Sequence, residues 1–320
     1  MISSKRALIA AMAALAAGAL VPQASFAQAK KTLAFVVNVP ADFWQIARRG
    51  TEKAQKELPN YNIEFYIPGE MSAAAQKRIL EDLLAKGVAG VSISPVNPDN
   101  STDILNQVAA KAALFTQDAD APKSNRAMYI GTDNVAAGRQ AGELMKKSLP
   151  NGGKAMLFVG TMDAANARER TQGIKEAIAG TKIEIIDIRT DGGDQTKAKA
   201  NVEDTLAKYP NIDLLVGLWA YNTPQIYNAV KAAGKEGKVK IVGFDEDQQT
   251  LKGIQEGAID GTVVQQPFEF GYQSMIYLAK YLEGDKSFIP ENKLRIVPTK
   301  IVDKTNVAEF ATQIRDLLKK

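Results

Sequence analysis

The chain has 320 residues, 45% of them apolar and 24% charged, which is globular composition and excludes a disordered, collagenous or low-complexity chain. It has no Cys and no His, which excludes a disulfide framework, a thiolate metal site, a thiol nucleophile and the commonest general base. The net charge of +4 is spread along the chain and gives no basic footprint for nucleic acid.

The N-terminus reads as an export signal. Lys5 and Arg6 precede the apolar run from Ala7 to Leu20, and Ser25-Phe26-Ala27 offers a small-x-small cleavage site, so cleavage is expected after Ala27. The run is shorter than the ~20 residues of a membrane span, no later stretch approaches that length, and no Cys is present to carry a lipid. A processed, soluble protein outside the cytoplasm is the expectation.

From Thr32 onward, short β-rich runs alternate with amphipathic ones. The predicted strands are Leu33–Val37, Ile63–Ile67, Val88–Ser94, Ala113–Thr116, Met128–Gly131, Ala155–Gly160, Ile183–Ile188, Leu214–Leu218, Val239–Phe244 and Thr262–Gln265. Between them, apolar residues recur at helical spacing, as in Ile46, Gly50, Ala54 and Leu58, and again in Met275, Ile276, Ala279 and Leu282. Alternation of this kind predicts βαβ units, and the nearly continuous apolar strands predict parallel sheets covered on both faces. Ten strands suit two doubly wound α/β lobes better than one. An internal echo agrees: Val88–Pro95 leads into Asn97-Pro98, and Leu214–Trp219 leads into Asn222-Thr223-Pro224.

Ligands of doubly wound sheets bind beyond the carboxyl ends of the strands. The segments there are rich in Asp, Asn, Gln, Arg and aromatic residues, and they hold both tryptophans. Carboxylates and amides bond hydroxyls in fixed directions, and aromatic faces pack on the C–H face of a sugar ring. These segments predict a carbohydrate or polyol site. Asn38 and Asp118 end strands, as does Asp245. Asp120 beside Pro122 is either a contact or an Asx turn, and Trp219 is either core or cleft edge. Asn222 and Asp247 read as helix caps.

At these loops the sequence resembles the ribose-binding-protein-like family of periplasmic substrate-binding proteins that serve ABC importers. The pieces that carry the resemblance are Phe43-Trp44 before Gly50, Asp118 with Asp120-Ala121-Pro122, Ile130-Gly131-Thr132-Asp133-Asn134, Ala167-Arg168-Glu169-Arg170, Val242-Gly243-Phe244-Asp245, and Gln265 with Pro267. The resemblance implies two lobes joined by three crossing segments, with ligand in the cleft, and it makes the expected compartment the periplasm. It divides the chain into a first lobe of residues 28–132 plus 267–293 and a second of 133–266 plus 294–320. It implies that Phe43 and Trp44 sandwich a ring, that Asp118 and Arg168 grip hydroxyls from opposite lobes, and that Asp245 and Gln265 act near the hinge. Arg170 is then left as a structural ion-pair partner. Three positions depart from the ribose binders: Ala119 stands where they have Arg, Asp194 where they have an aromatic, and Trp219-Ala220 where they have Asn-Asp. These departures imply a monosaccharide or sugar alcohol other than ribose, with Asp194 and Trp219 reshaping the pocket.

The expected protein is thus a non-catalytic, monomeric receptor. Its partners are a small sugar or polyol and the membrane permease of an ABC importer; no cofactor, metal or nucleic acid is expected. Two other readings stay open. One is a secreted glycoside hydrolase using two of Asp118, Asp194 and Asp245; the other is a receptor for chemotaxis or sensor-kinase signalling. A sugar-responsive transcription regulator is disfavoured by the export signal and the lack of an N-terminal helix-turn-helix. Without His, affinity is expected to be flat from pH 6 to 8 unless a carboxyl is strongly shifted.

Overall fold

A computed structural model describes residues 30–319. The export signal and its cleavage site lie outside the described residues. The first half runs β1 (Lys31–Val36), α1 (Phe43–Glu57), β2 (Tyr61–Tyr66), α2 (Ala73–Ala85), β3 (Gly90–Ile93), α3 (Pro98–Lys111), β4 (Ala113–Gln117) and β5 (Met128–Gly131). The second runs α4 (Asn134–Ser148), β6 (Gly153–Val159), α5 (Ala165–Ile178), β7 (Ile183–Thr190), α6 (Gln195–Lys208), β8 (Leu214–Gly217), α7 (Asn222–Ala232), β9 (Lys240–Phe244), α8 (Gln248–Glu256) and β10 (Gly261–Val264). The chain ends with α9 (Pro267–Leu282), β11 (Leu294–Ile296), β12 (Lys300–Val302) and α10 (Val307–Lys319).

Two six-stranded sheets result, in the orders β11-β5-β4-β3-β1-β2 and β12-β10-β9-β8-β6-β7. The two orders are the same plan used twice. Every pairing is parallel except β10 with β12. The central strands β3, β4, β5, β8 and β10 are buried along their whole length, because helices cover both faces. One face of the first sheet packs Trp44, Phe270 and Leu278 from α1 and α9, and the other packs Leu80, Leu83 and Leu105 from α2 and α3. The second sheet repeats this with Ala141 and Ile174 from α4 and α5, and with Val202, Ile226 and Ile254 from α6, α7 and α8.

The helices start where their caps say. Asn97 accepts from the N–H of Asn100, Asp133 from Ala136, and Asp247 from Gln249 and Thr250. Asn222 is not a cap: it is the first residue of α7, with its side chain turned back to accept from the Trp219 N–H at 3.2 Å.

The chain passes between lobes three times, at 132–133, 265–266 and 297–299. The third crossing lies later than the sequence reading placed it, because Leu294–Ile296 pairs in parallel with β5 of the first sheet. β11 and β12 are three residues each, too short to carry a period. After the crossing, α10 packs on α8 of the second lobe and on α1 of the first. Within each lobe, one helix pair touches backbone to backbone. A Cβ at Gly50 would lie 2.1 Å from the Phe268 carbonyl oxygen, and one at Gly138 would lie 2.2 Å from the Arg170 carbonyl oxygen. The second contact sets the height of Arg170 against α4.

Candidate functional site

The carboxyl ends of both sheets face one cavity between the lobes. The first lobe lines it with Asn38, Ala41, Phe43, Trp44 and Asp118, and the second with Asn166, Arg170, Trp219, Tyr221, Asp245 and Gln265.

Asp118 and Asp245 occupy equivalent places, each just after the fourth strand of its lobe. Both adopt left-handed backbone, at φ 59° and 67°, a conformation that Asp tolerates better than most residues. Each is pinned by the next strand. The Asp118 N–H donates to the Ile130 carbonyl at 3.3 Å, and its own carbonyl accepts from the Tyr129 hydroxyl at 2.9 Å. The Asp245 N–H donates to the Val263 carbonyl at 2.9 Å, and its carbonyl accepts from the Thr262 hydroxyl at 2.9 Å. The turn aims both carboxylates into the cleft.

On the first lobe's face the polar groups bond one another. The Trp44 indole N–H donates to Asn38 Oδ1 at 3.1 Å, and Asn38 Nδ2 donates to Asp118 Oδ2 at 3.5 Å. The Ser94 hydroxyl donates to the same oxygen at 2.7 Å. Asn166 Nδ2 reaches it across the cleft at 3.3 Å. Trp44 is fully buried with its ring edge-on to Phe35 and Phe43, so its bulk belongs to the core and half-buried Phe43 is the more open ring.

On the second lobe's face Arg170 is the centre. Its Nε donates to Asn134 Oδ1 at 3.0 Å and its Nη1 to the Leu218 carbonyl at 2.6 Å, and the guanidinium lies 4.4 Å from the Phe244 ring centroid. Its Nη2 has no partner, nor do Asn166 Oδ1, Trp219 Nε1 and Gln265 Oε1. Buried polar atoms without partners are costly in a folded protein, and four around one cavity point to a polar ligand. Trp219 lies against Gly160, where a Cβ would sit 2.0 Å from its Cζ3; the benzo edge fills that slot, which puts Nε1 on the opposite edge of the indole. Tyr221 donates to Asp191 at 2.5 Å, and Asn222 Nδ2 holds the other oxygen of Asp191 at 2.9 Å.

Burial pushes the Asp118 carboxyl above its ordinary value, opposed by the Arg170 charge and by bonds from Ser94 and Asn166. Burial likewise pushes Asp245 up to about 6, opposed by Arg170 and by Gln265, whose Nε2 donates to Asp245 Oδ1 at 3.1 Å. A carboxyl raised this far is the exception attached to the expectation of a flat pH response.

Of the residues expected from sequence, Asn38, Phe43, Trp44, Asp118, Trp219, Asp245 and Gln265 line this cavity. Three others are placed elsewhere. Asp120 is locked in a two-pronged pair with Arg126, both contacts at 2.5 Å, and also accepts from Thr116 and the Ala121 N–H, so its oxygens are spent inside the first lobe. Asp194 is exposed and caps α6 by accepting from Thr196 and Lys197. Arg168 is exposed and bonds the Met162 and Asp163 carbonyls. It stands two residues from both Asn166 and Arg170, about 200° round the helix, so only one of the two arginines can face the cleft. Asn166, Arg170 and Tyr221 are cavity residues that the sequence reading left out. The i, i+4 spacing of Asn166 and Arg170 beside buried Ala167 and Ile174 was the available signal.

The sequence profile of the periplasmic binding protein domain matches residues 33–286. The chain belongs to the periplasmic binding protein family. The ribose import binding protein of Haemophilus influenzae is 30% identical over 267 residues, covering 82% of this chain and 89% of that protein. A solute-binding protein of an ABC transporter from Burkholderia graminis, solved with D-arabinose, superposes with a TM-score of 0.81 at 27% identity, covering 87% of this chain and 97% of that one. The glucose-galactose binding protein of Geobacillus stearothermophilus gives a TM-score of 0.80 at 27% identity, covering 87% and 98%. The two-lobed α/β architecture and the non-catalytic class of the relatives are those expected for this periplasmic binding protein. Among the described residues, no helix is long and apolar enough to cross a membrane, and no cluster of carboxylates could hold a metal ion.

Proposed function

We propose that this periplasmic binding protein captures a monosaccharide or sugar alcohol between its lobes and hands it to the permease of an ABC importer. The observation that carries the reading is the set of unpartnered buried groups around one cavity. Arg170 Nη2 and Trp219 Nε1 have hydrogens to donate, Asn166 Oδ1 and Gln265 Oε1 can accept, and Asp118 and Asp245 accept from opposite lobes. A compact polyhydroxylated molecule both donates and accepts at every carbon, which is the complement of that set. Phe43 and Trp219 add apolar faces for its C–H groups. The names of the relatives, which include ribose, allose, arabinose and glucose-galactose binders, support the substrate class.

The space left between these groups is about 30 Å³, less than a sugar ring occupies. Entry therefore requires the lobes to part along the three crossings, and the ligand holds them together by bonding both. Export to the periplasm through cleavage after Ala27 is part of the proposal. A thermal-shift screen of pentoses, hexoses, deoxysugars and polyols, followed by calorimetry, tests it. At least one of these should raise the melting temperature and bind with unit stoichiometry without being consumed. Turnover of the bound sugar, or indifference to the whole panel, would sink the reading.

A further inference from the structure

A second space lies beside the sugar cavity and is far larger, about 480 Å³. Ala41 and Phe43 from the first lobe and Ala220 and Tyr221 from the second line both spaces. The boundary is therefore built partly from two alanines on facing lobes, which reach no farther than Cβ. The far wall comes from α10 through Ile314 and Leu318, with Ile46 of α1 beside them. This helix lies beyond residue 286, where the family profile ends. Arg49 of α1 fastens it by donating to the Leu318 carbonyl at 3.1 Å.

The polar lining consists of amides and carboxyls. Gln45, Gln195, Gln225, Gln248 and Gln249 contribute amides, which donate and accept as hydroxyls require. Asp42 and Asp247 contribute carboxyls, and no Lys or Arg lines the space, so an anionic group would meet no counter-charge. Glu246 also borders the space, but its carboxyl oxygens are buried behind the wall and offer a ligand nothing there. The size of the space, its amide lining and the boundary it shares with the central cavity mark it as a place for a polar ligand.

We propose that this space is a second ligand compartment, which takes a neutral glycosyl unit joined to the sugar held in the central cavity. The ligand class then extends from free monosaccharides to short glycosides. The proposal rests on the sugar-binding reading above, and the test separates the two. Calorimetry would compare D-ribose, D-allose, D-arabinose, D-galactose and D-glucose with the disaccharides lactose, melibiose, cellobiose, maltose and trehalose. At least one disaccharide should bind. Gln225→Trp, on the chamber side of α7 and away from the central cavity, should weaken that disaccharide at least tenfold and change the preferred monosaccharide less than threefold. The double variant Gln195→Ala, Gln249→Ala removes amides without adding bulk and should weaken the disaccharide severalfold. Monosaccharide binding with no disaccharide binding, or a disaccharide indifferent to these variants, overturns the second compartment and leaves the sugar site standing. If no sugar of either kind binds, both readings fall.

Discussion

The two lobes share one strand order and place an Asp at the same left-handed turn, yet they present opposite kinds of surface to the cavity. The first lobe's face is closed on itself: Trp44, Asn38, Ser94 and Asp118 bond one another, and Asp120 is consumed by Arg126. The second lobe's face is unfinished, with Arg170 Nη2, Asn166 Oδ1, Trp219 Nε1 and Gln265 Oε1 all unpartnered. A satisfied network is rigid and pre-aimed, while an unsatisfied one stores free energy that a ligand releases. In the proposed function the first lobe is a fixed platform and the second supplies most of the binding increment. The comparison teaches that duplication of a fold need not duplicate the division of labour.

Substitutions that separate stability from affinity test this contrast. The largest effect is expected at Asp120→Ala, which strands the buried Arg126 guanidinium and should cost about 3–5 kcal/mol of stability. Folded protein recovered at low temperature should still bind sugar within about twofold, as read by denaturant melts beside calorimetry. A large loss of affinity with normal stability would place Asp120 in the site after all. Next is Arg170→Ala, which removes the cation that acts on both Asp118 and Asp245; affinity should fall by about 2–5 kcal/mol.

The pH response should be smaller, at most roughly tenfold. Asp245 is raised to about 6. Below that value it is protonated and loses acceptor capacity, so affinity for a hydroxyl-donating ligand should rise between pH 5 and 7 and then level. The contribution of Asp245 to stability should move the other way. A carboxyl raised above its unfolded value of about 3.9 holds more protons when folded, so its contribution falls as pH climbs from about 4 to 6. Asp118 and Glu246, also raised by burial, act in the same direction. Carboxyls held below their ordinary values, such as Glu57, Asp99 and Glu176, act oppositely, so the test is the difference from Asp245→Asn. The melting temperature of the protein relative to Asp245→Asn should fall as pH climbs across that window, and a rise would contradict the assignment. Asp245→Asn should also flatten the affinity curve.

Trp219→Phe deletes the unpartnered N–H together with the benzo edge that fills the slot on Gly160. It should weaken binding by about 1 kcal/mol, the scale of one hydrogen bond, and lower the melting temperature by the cost of the small cavity left at Gly160. The smallest effect belongs to Arg168→Ala. Because the side chain is exposed, affinity and stability should each change by less than about 0.5 kcal/mol. If Arg168→Ala instead hurts binding more than Arg170→Ala, α5 is rotated from the position described and the second lobe's face must be redrawn.

Most of the site's first-lobe half was legible along the chain, because it sits at strand ends that apolar runs mark clearly: Asn38 after β1 and Asp118 after β4. Asp245 and Gln265 were legible for the same reason in the second lobe. The helix-borne part was not. A helix turns about 100° per residue, so the pair Arg168 and Arg170 read alike in one dimension while facing opposite ways in three. Only the backbone contact at Gly138 and the burial of Asn166 decide which arginine enters the cleft. Tyr221 and Asp191 were hidden similarly, since they act as a pair 30 residues apart.

By itself, then, the sequence determined the α/β alternation, the two-lobe plan and the strand-end residues, because periodicity and turn chemistry are local and are written residue by residue. Tertiary structure alone decided which polar groups remain unpartnered, which carboxyls are pushed up by burial, and that α10 crosses back to wall a second space. Those properties depend on what lies across a gap of a few ångströms from chain distant in sequence, such as Asp118 from Asn166 or Arg49 from Leu318.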